Sequence, residues 1–148
     1  MKRIVFLLVA MAALVIGASA ETRSRWIFVG QNVDDESVYI DTKTVEFPTF
    51  GNSQTGDYVT FWWKVARRDG SETMTHAQIR RSIRYYRRLK WSVYSATHEV
   101  TSSSTPGAWE GITPGSIADM LCDFFDAVVE ELQHPTTPRR TSERTTNM

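Results

Sequence analysis

The sequence predicts an α+β domain, in which an antiparallel β-sheet of about five to six strands packs against one C-terminal α-helix. Two patterns lead to this prediction. From about Trp26 to Ser103, apolar and polar residues alternate in short runs separated by turn residues, which is typical of antiparallel strands. From Ile117 to Gln133, apolar residues instead recur every three or four positions, which is typical of one face of a helix.

The first twenty residues have the features of a secretory signal peptide. Lys2 and Arg3 precede an apolar, Ala-rich run that is too short to span a bilayer comfortably. Ala18-Ser19-Ala20 then provides the small residues of a cleavage site. We therefore expect residues 1–20 to be a signal peptide and the mature chain to be exported to the periplasm, cell surface or medium. No transmembrane segment is expected in the mature chain, and no lipid anchor, because no Cys lies near the cut.

The remaining chain is expected to fold as one domain over residues 21–133, followed by a disordered basic tail over residues 134–148. The tail consists mainly of Thr, Pro, Arg, Ser and Asn, so it has little apolar surface to bury. Without Lys2 and Arg3, acidic residues outnumber basic ones by two. This weak negative charge predicts no nucleic-acid partner.

Turn residues divide the sheet region into segments. We expect strands at 26–29, 38–40, 58–66, 72–80, 83–93 and 99–102. Asp69-Gly70 is the strongest hairpin signal and lies between the third and fourth of these segments. Trp62 and Trp63 are adjacent in a strand, so their side chains must point to opposite faces, and one of them is expected to be exposed.

The segment from Ile83 to Val93 gives the candidate binding residues. Its alternation predicts an apolar face with Arg87 as the one interruption, and a polar face on the other side. The polar face carries the aromatic and cationic side chains that are enriched in protein-binding hot spots, and we predict binding by Arg84, Tyr86, Arg88, Lys90 and Tyr94. A core role is expected for Trp26, Tyr85, Leu89, Trp91, Leu121, Phe124 and Val128. Reversing the charges of Arg84, Arg88 and Lys90 is therefore expected to leave folding nearly intact.

The C-terminal helix has a clear start. Ser116 is suited to cap it, and Asp119, three residues later, completes a capping-box arrangement and suits the positive end of the helix dipole. At 1.5 Å per residue the helix spans roughly 25 Å, enough to cover one face of the sheet. Cys122, the single Cys, lies near the edge of its apolar stripe and has no intrachain partner. It is either a buried thiol or half of an intermolecular disulfide.

The sequence contains no recognisable catalytic or metal site, and no cofactor is expected. His76, His98 and His134 are not spaced as a metal pair or as a nucleophile and its base. Asp34-Asp35-Glu36 is an acidic loop without the ligand pattern of a dedicated calcium site. We therefore expect a non-enzymatic protein.

Several short motifs together resemble the surface-adhesin protein E family. They are Trp26 with Val29-Gly30, Val38-Tyr39-Ile40-Asp41 with Val45, Trp62-Trp63-Lys64, Arg84-Tyr85-Tyr86 leading to Trp91-Ser92-Val93-Tyr94, and Trp109 to Pro114-Gly115-Ser116 with Cys122. The resemblance runs from about Trp26 to Cys122 and implies a small α+β domain in the bacterial envelope. The family's founding type is an adhesin that engages host extracellular proteins. Two departures are the absence of a second Cys around residues 74–83 and of a lipid-anchor Cys.

These observations leave three binding hypotheses. The first is an adhesin-like protein that binds a host extracellular protein, and the alternative is a periplasmic accessory or structural protein that binds an envelope partner through a sheet edge or Trp62 and Trp63. The third is electrostatic, because six cations between residues 80 and 90 suit an anionic polymer unless acidic neighbours neutralise them. These cations are Arg80, Arg81, Arg84, Arg87, Arg88 and Lys90.

Overall fold

The computed structural model describes residues 25–135 as an open antiparallel sheet with one helix, which confirms the predicted α+β class. The predicted signal peptide and the predicted tail beyond Pro135 lie outside the described residues. In chain order the elements are β1 (Trp26–Gln31), β2 (Ser37–Asp41), β3 (Tyr58–Ala66), β4 (Glu72–Arg80), β5 (Tyr85–Tyr94), β6 (Glu99–Ser103), β7 (Glu110–Gly111) and α1 (Ile117–Gln133).

The strands follow chain order across the sheet, from β1 at one edge to β6 at the other, and all neighbours are antiparallel. The short strand β7, which the sequence did not predict, pairs with the start of β5. A 3₁₀ turn at Thr42–Thr44 follows β2, and Glu46 then forms a single bridge to Thr60 of β3. Residues 42–57 form the long connection from β2 to β3, and the sheet remains a single open layer.

The β3–β4 hairpin forms at the predicted turn. The two strands pair along their full length, from Tyr58 opposite Arg80 to Ala66 opposite Glu72. Gly70 has φ +82°, a left-handed conformation that suits glycine. The carboxylate of Asp69 accepts hydrogen bonds from both the amide and the hydroxyl of Ser71, which fixes the turn.

The hydrophobic core lies between α1 and one face of the sheet. On β3 every second residue is buried, and the ring of Phe61 lies 4.6 Å from that of Phe125 in α1, measured between centroids. Burial of each such side chain stabilises the fold by about 1.5–3 kcal/mol. Leu121 and Val128 are buried and Phe124 packs against the core, which confirms these three predicted core residues.

Helix α1 begins and ends where the sequence predicted. The Ser116 hydroxyl accepts a hydrogen bond from the Asp119 amide, and the Asp119 carboxylate accepts one from the amide of Gly115. This second bond, together with the nearby guanidinium of Arg84, lowers the pKa of Asp119. On the inner face of the helix, Cys122 is fully buried, and burial raises the pKa of its thiol to about 11. This environment agrees with the buried-thiol interpretation.

A β-bulge in β5 overturns the predicted face assignment. His76 of β4 pairs with Lys90 and Ala77 pairs with Arg88, so Leu89 between them has no partner. One extra residue shifts the alternation, and the half of the strand before the bulge faces the opposite way from the prediction. Tyr86, predicted on the polar face, therefore packs against the core.

The same shift explains part of the error in the predicted core. Tyr85 is 40 % exposed on the side of the sheet away from α1, and Leu89 occupies the bulge. Trp26 and Trp91 are only partly buried and lie outside the core cluster. The prediction of a core role for these four residues is wrong, because period-two alternation alone does not reveal a bulge or show which face the helix covers.

Candidate protein-binding face

The structure separates the five predicted binding residues into three places. Arg84 lies in the turn before β5 with φ +52° and points to α1. Tyr86 and Arg88 lie on the helix side of the sheet, whereas Lys90 and Tyr94 lie on the other side. The expectation of one shared polar face is therefore wrong. Lys90 and Tyr94 remain together, on the side of the sheet turned away from α1.

We call the sheet surface turned away from α1 the open face. Trp63 points into the core and its neighbour Trp62 lies half-buried on this surface, as strand alternation predicts. Within the described residues, no helix covers this side. Its principal side chains, read from the strand register, are Trp26, Phe28, Tyr39, Asp41, Tyr58, Trp62, Lys64, Glu72, Met74, His76, Gln78, Arg80, Tyr85, Arg87, Lys90, Ser92 and Tyr94.

Aromatic rings and a cation pack together at the β1–β3 end of the open face. The Lys64 ammonium lies 5.0 Å from the ring centroid of Trp26 and 5.6 Å from that of Tyr39. Phe28 meets Tyr39 edge to face at 5.7 Å between centroids. Lys64 also pairs with Glu72 at 2.9 Å, so its charge is balanced while its position over the rings is fixed.

A second aromatic group lies where the loops after β2 and β6 reach the open face. The guanidinium of Arg80 lies 5.3 Å from the ring centroid of Tyr58, and that of Arg87 lies 4.8 Å from the ring of Trp109. The rings of Tyr58 and Trp109 are 6.2 Å apart, and Phe50 packs edge to face on Tyr58. These contacts restrict large side chains to defined positions on the surface.

A shallow hollow of about 390 Å³ lies on the open face near β6. Its floor includes Trp62, whose ring stacks on His76 with an interplanar angle of 8°. At one side, the buried carboxylate of Asp41 accepts a hydrogen bond from Arg25 Nε at 2.6 Å and another from the amide of Lys43. Lys90 and Tyr94 complete the wall, so the hollow combines a rigid ionic side with an aromatic floor.

The six cations between residues 80 and 90 do not form one patch. Arg80 pairs with Asp57 and Arg81 with Asp126, while Arg84 contacts three carboxylates of α1. Of the other three, Arg87 and Lys90 lie on the open face and Arg88 lies on the helix side. Acidic neighbours thus neutralise half of the set, and the bulge divides the rest. This arrangement does not favour binding of an anionic polymer.

The histidines do not form a chemical site within residues 25–135. His76 is stacked on Trp62, and burial together with the charge of Lys90 lowers its pKa, against the opposite effect of Glu46. His98 contacts the hydroxyls of Ser95 and Thr97 in the β5–β6 turn. No group of three or more His, Cys, Asp or Glu side chains in this range is placed to hold a metal ion.

Among residues 25–135, no helix combines the length and the apolar character that a membrane span requires.

Comparisons with known proteins give structural neighbours alone. No family model and no curated protein matches the chain. Two solved structures of Haemophilus influenzae protein E are similar to it at 12 % sequence identity. Crystal form II has a TM-score of 0.49 and the match covers 76 % of this chain and 95 % of that one, while the other structure has a TM-score of 0.43 with 80 % and 92 % covered.

Proposed function

We propose that this chain is an exported, non-catalytic binding protein of the bacterial envelope, and that its open face binds a protein partner. The observation that carries the proposal is the layer of aromatic rings and cations that extends across this face, which no helix of residues 25–135 covers. Soluble domains usually cover such a surface or use it, because large exposed apolar patches mark interaction sites.

The composition of the open face suits protein recognition. Trp, Tyr and Arg are the residues that most often dominate binding energy in protein interfaces. Here Tyr58, Trp62 and Trp109 are held by stacking and cation–π contacts before any partner arrives. Because these side chains are already ordered, binding loses less conformational entropy than it would with mobile ones.

The charges on this face indicate the chemistry of the partner. Lys64, Arg80 and Arg25 are already paired with acidic side chains, whereas Lys90 is exposed and has no ion pair among the described residues. A partner that presents apolar side chains to the rings and a carboxylate to Lys90 is therefore complementary. Host extracellular proteins and envelope proteins both offer this chemistry, and location distinguishes them.

Site-specific photocrosslinking in the native bacterium, with and without added host extracellular proteins, tests the proposal. A photoreactive phenylalanine analogue is placed at Tyr94 or Tyr39 on the open face, and at Leu132, which is 45 % exposed on α1, as the matched control. We expect a discrete adduct with one protein from the open-face positions and none from Leu132. Excess purified domain should compete for the adduct, and the Lys90→Glu variant should compete about tenfold less well, since loss of a charge-assisted contact costs about 1.5 kcal/mol.

An adduct from Leu132 alone, or equal competition by Lys90→Glu and the unaltered domain, would contradict the choice of face. Protease treatment of intact and permeabilised cells then separates the two classes of partner. Cleavage on intact cells supports a host extracellular protein. Protection until the outer membrane is opened supports a periplasmic envelope protein and excludes adhesion.

A further inference from the structure

A second cavity lies on the opposite side of the sheet, at the N-terminal end of α1. It has a volume of about 490 Å³, which is within the usual range of sites for small molecules. We call it the helix-end cavity. Strands β3–β5 form its base and the β7–α1 connection forms its rim; the lining includes Trp63, Tyr86, Arg88, Ile112 and Ile117.

A buried donor without a partner lies in the base of the helix-end cavity. Trp63 is only 9 % exposed, and its indole N–H has no hydrogen-bond acceptor among the described residues. The Tyr86 hydroxyl is a polar neighbour of this N–H. Burial raises the pKa of Tyr86 to about 12, so its hydroxyl remains a donor at neutral pH. A buried polar group without a partner is destabilising, and such groups often mark places where a ligand supplies the missing atom.

The end of α1 adds further donors to the same wall. Ser116, Ile117 and Ala118 line the cavity. The Ser116 hydroxyl is occupied by the Asp119 amide, but the amides of Ile117 and Ala118 have no acceptor among the described residues. Helix N-termini attract anions because these free N–H groups and the helix dipole both favour negative charge.

The charged side chains of the cavity leave one cation available. Arg67 is paired with Glu36 at 2.7 Å and also donates to the Thr73 hydroxyl. Arg88 is exposed at the mouth and has no ion pair among the described residues, and Glu110 is exposed at the same rim. The formal charges balance, so the excess of unpaired hydrogen-bond donors determines which ligand is favoured.

We propose that the helix-end cavity binds a small organic anion with one carboxylate and an apolar body. The carboxylate accepts hydrogen bonds from the Trp63 indole N–H, Arg88, the Tyr86 hydroxyl and the first amides of α1, which are the donors without acceptors among residues 25–135. The apolar body packs against Val65, Ile112 and Ile117, which give the cavity its apolar wall. This site is separate from the open face, so a small molecule and a protein partner can be bound at once.

Nuclear magnetic resonance of the full mature chain tests the proposal, with benzoate as the probe. The chain has five Trp, and the Trp63→Phe variant assigns the indole N–H signal of Trp63. We expect benzoate to shift this signal saturably, and benzamide, its neutral counterpart, to bind about tenfold more weakly. The Arg88→Gln variant should also weaken benzoate binding about tenfold, because a charge-assisted hydrogen bond is lost.

Lys43→Gln is the matched control, since Lys43 is an exposed cation in the Thr42–Thr44 turn whose side chain lines neither the helix-end cavity nor the hollow on the open face. It should leave benzoate binding unchanged. Equal binding of benzoate and benzamide, equal effects of Arg88→Gln and Lys43→Gln, or no saturable shift of the Trp63 signal would overturn the proposal. Because both variants alter exposed side chains, their unchanged spectra elsewhere show that folding is intact.

Discussion

The two faces of the sheet present the same kinds of residue in opposite roles. On the helix side, the aromatic rings of Phe61 and Phe125 are buried against each other and hold the fold together. On the open face, Trp62 and Trp109 are fixed by His76 and Arg87 and keep part of their surface in water. Aromatic content alone therefore does not locate a core, because the position of the helix decides which face becomes interior.

The largest effect should come from truncating one ring on each face. Phe125→Ala removes a fully buried side chain and should lower the free energy of unfolding by about 3–5 kcal/mol. Trp62→Ala removes a half-buried ring outside the core and should cost less, about 1 kcal/mol. Urea denaturation monitored by circular dichroism measures both. Equal losses would show that the open face contributes to stability as much as the core does.

Charge reversal gives the next effect. Arg84→Glu would place a fourth carboxylate beside Asp119, Asp123 and Asp126, and should cost about 2 kcal/mol. Arg88→Glu has no such neighbours on α1 and should cost less than about 0.5 kcal/mol. The same urea titration at low and high salt checks this, since salt should reduce the difference between the two variants. Equal costs would refute a structural role for Arg84.

The expected effect on Arg84 corrects the interpretation made from the sequence. Its position in an alternating segment predicted a free surface cation, and alternation within one strand contains no information about the helix that packs above it. The spacing of Asp119, Asp123 and Asp126 did contain a signal, because residues three and four apart share one helix face. An acidic stripe on a helix that must cover the sheet predicts a cation beneath it.

Deletion of Leu89 tests the boundary between the faces. Leu89 is the unpaired residue of the bulge, so its removal should straighten β5 and leave every other side chain on its present face. The expected cost is about 1 kcal/mol for a half-buried residue. Deletion of Trp91, which is paired, should instead invert the rest of the strand and prevent folding. Equal losses of unfolding free energy from the two deletions would show that Leu89 is not the unpaired residue of the bulge.

The sequence predicted regular elements well and the bulge poorly, for a physical reason. Helix α1 and the Asp69-Gly70 hairpin depend on local signals, namely a cap, a period and a turn residue with positive φ. The bulge depends on the partner strand, because an extra residue in β5 has meaning only opposite His76 and Ala77. The prediction therefore placed Tyr85 in the core and Tyr86 on the surface, whereas the structure has the reverse. For the same reason, the predicted binding residues lie on two faces of the sheet and not on one.

The smallest effect should be a pH dependence from the open face. Burial and Lys90 lower the pKa of His76, so the imidazolium is less favourable in the folded than in the unfolded chain. The contribution of neutral His76 to the free energy of unfolding is complete above the pKa of the unfolded chain, about 6.5, and is lost as the pH falls below that value. The free energy of unfolding should thus fall more between pH 7.5 and 5.5 for the unaltered chain than for His76→Gln. A larger fall in the variant would contradict this assignment.

The burial of Cys122 has a practical consequence for work on this molecule. The chain contains a single Cys, and the thiol is enclosed by the core with a pKa raised to about 11. At neutral pH it is therefore nearly inert to maleimide and iodoacetamide reagents. A cysteine introduced by Lys90→Cys would be the one readily labelled position, so a fluorophore or surface tether can be attached to the open face without first removing the native thiol.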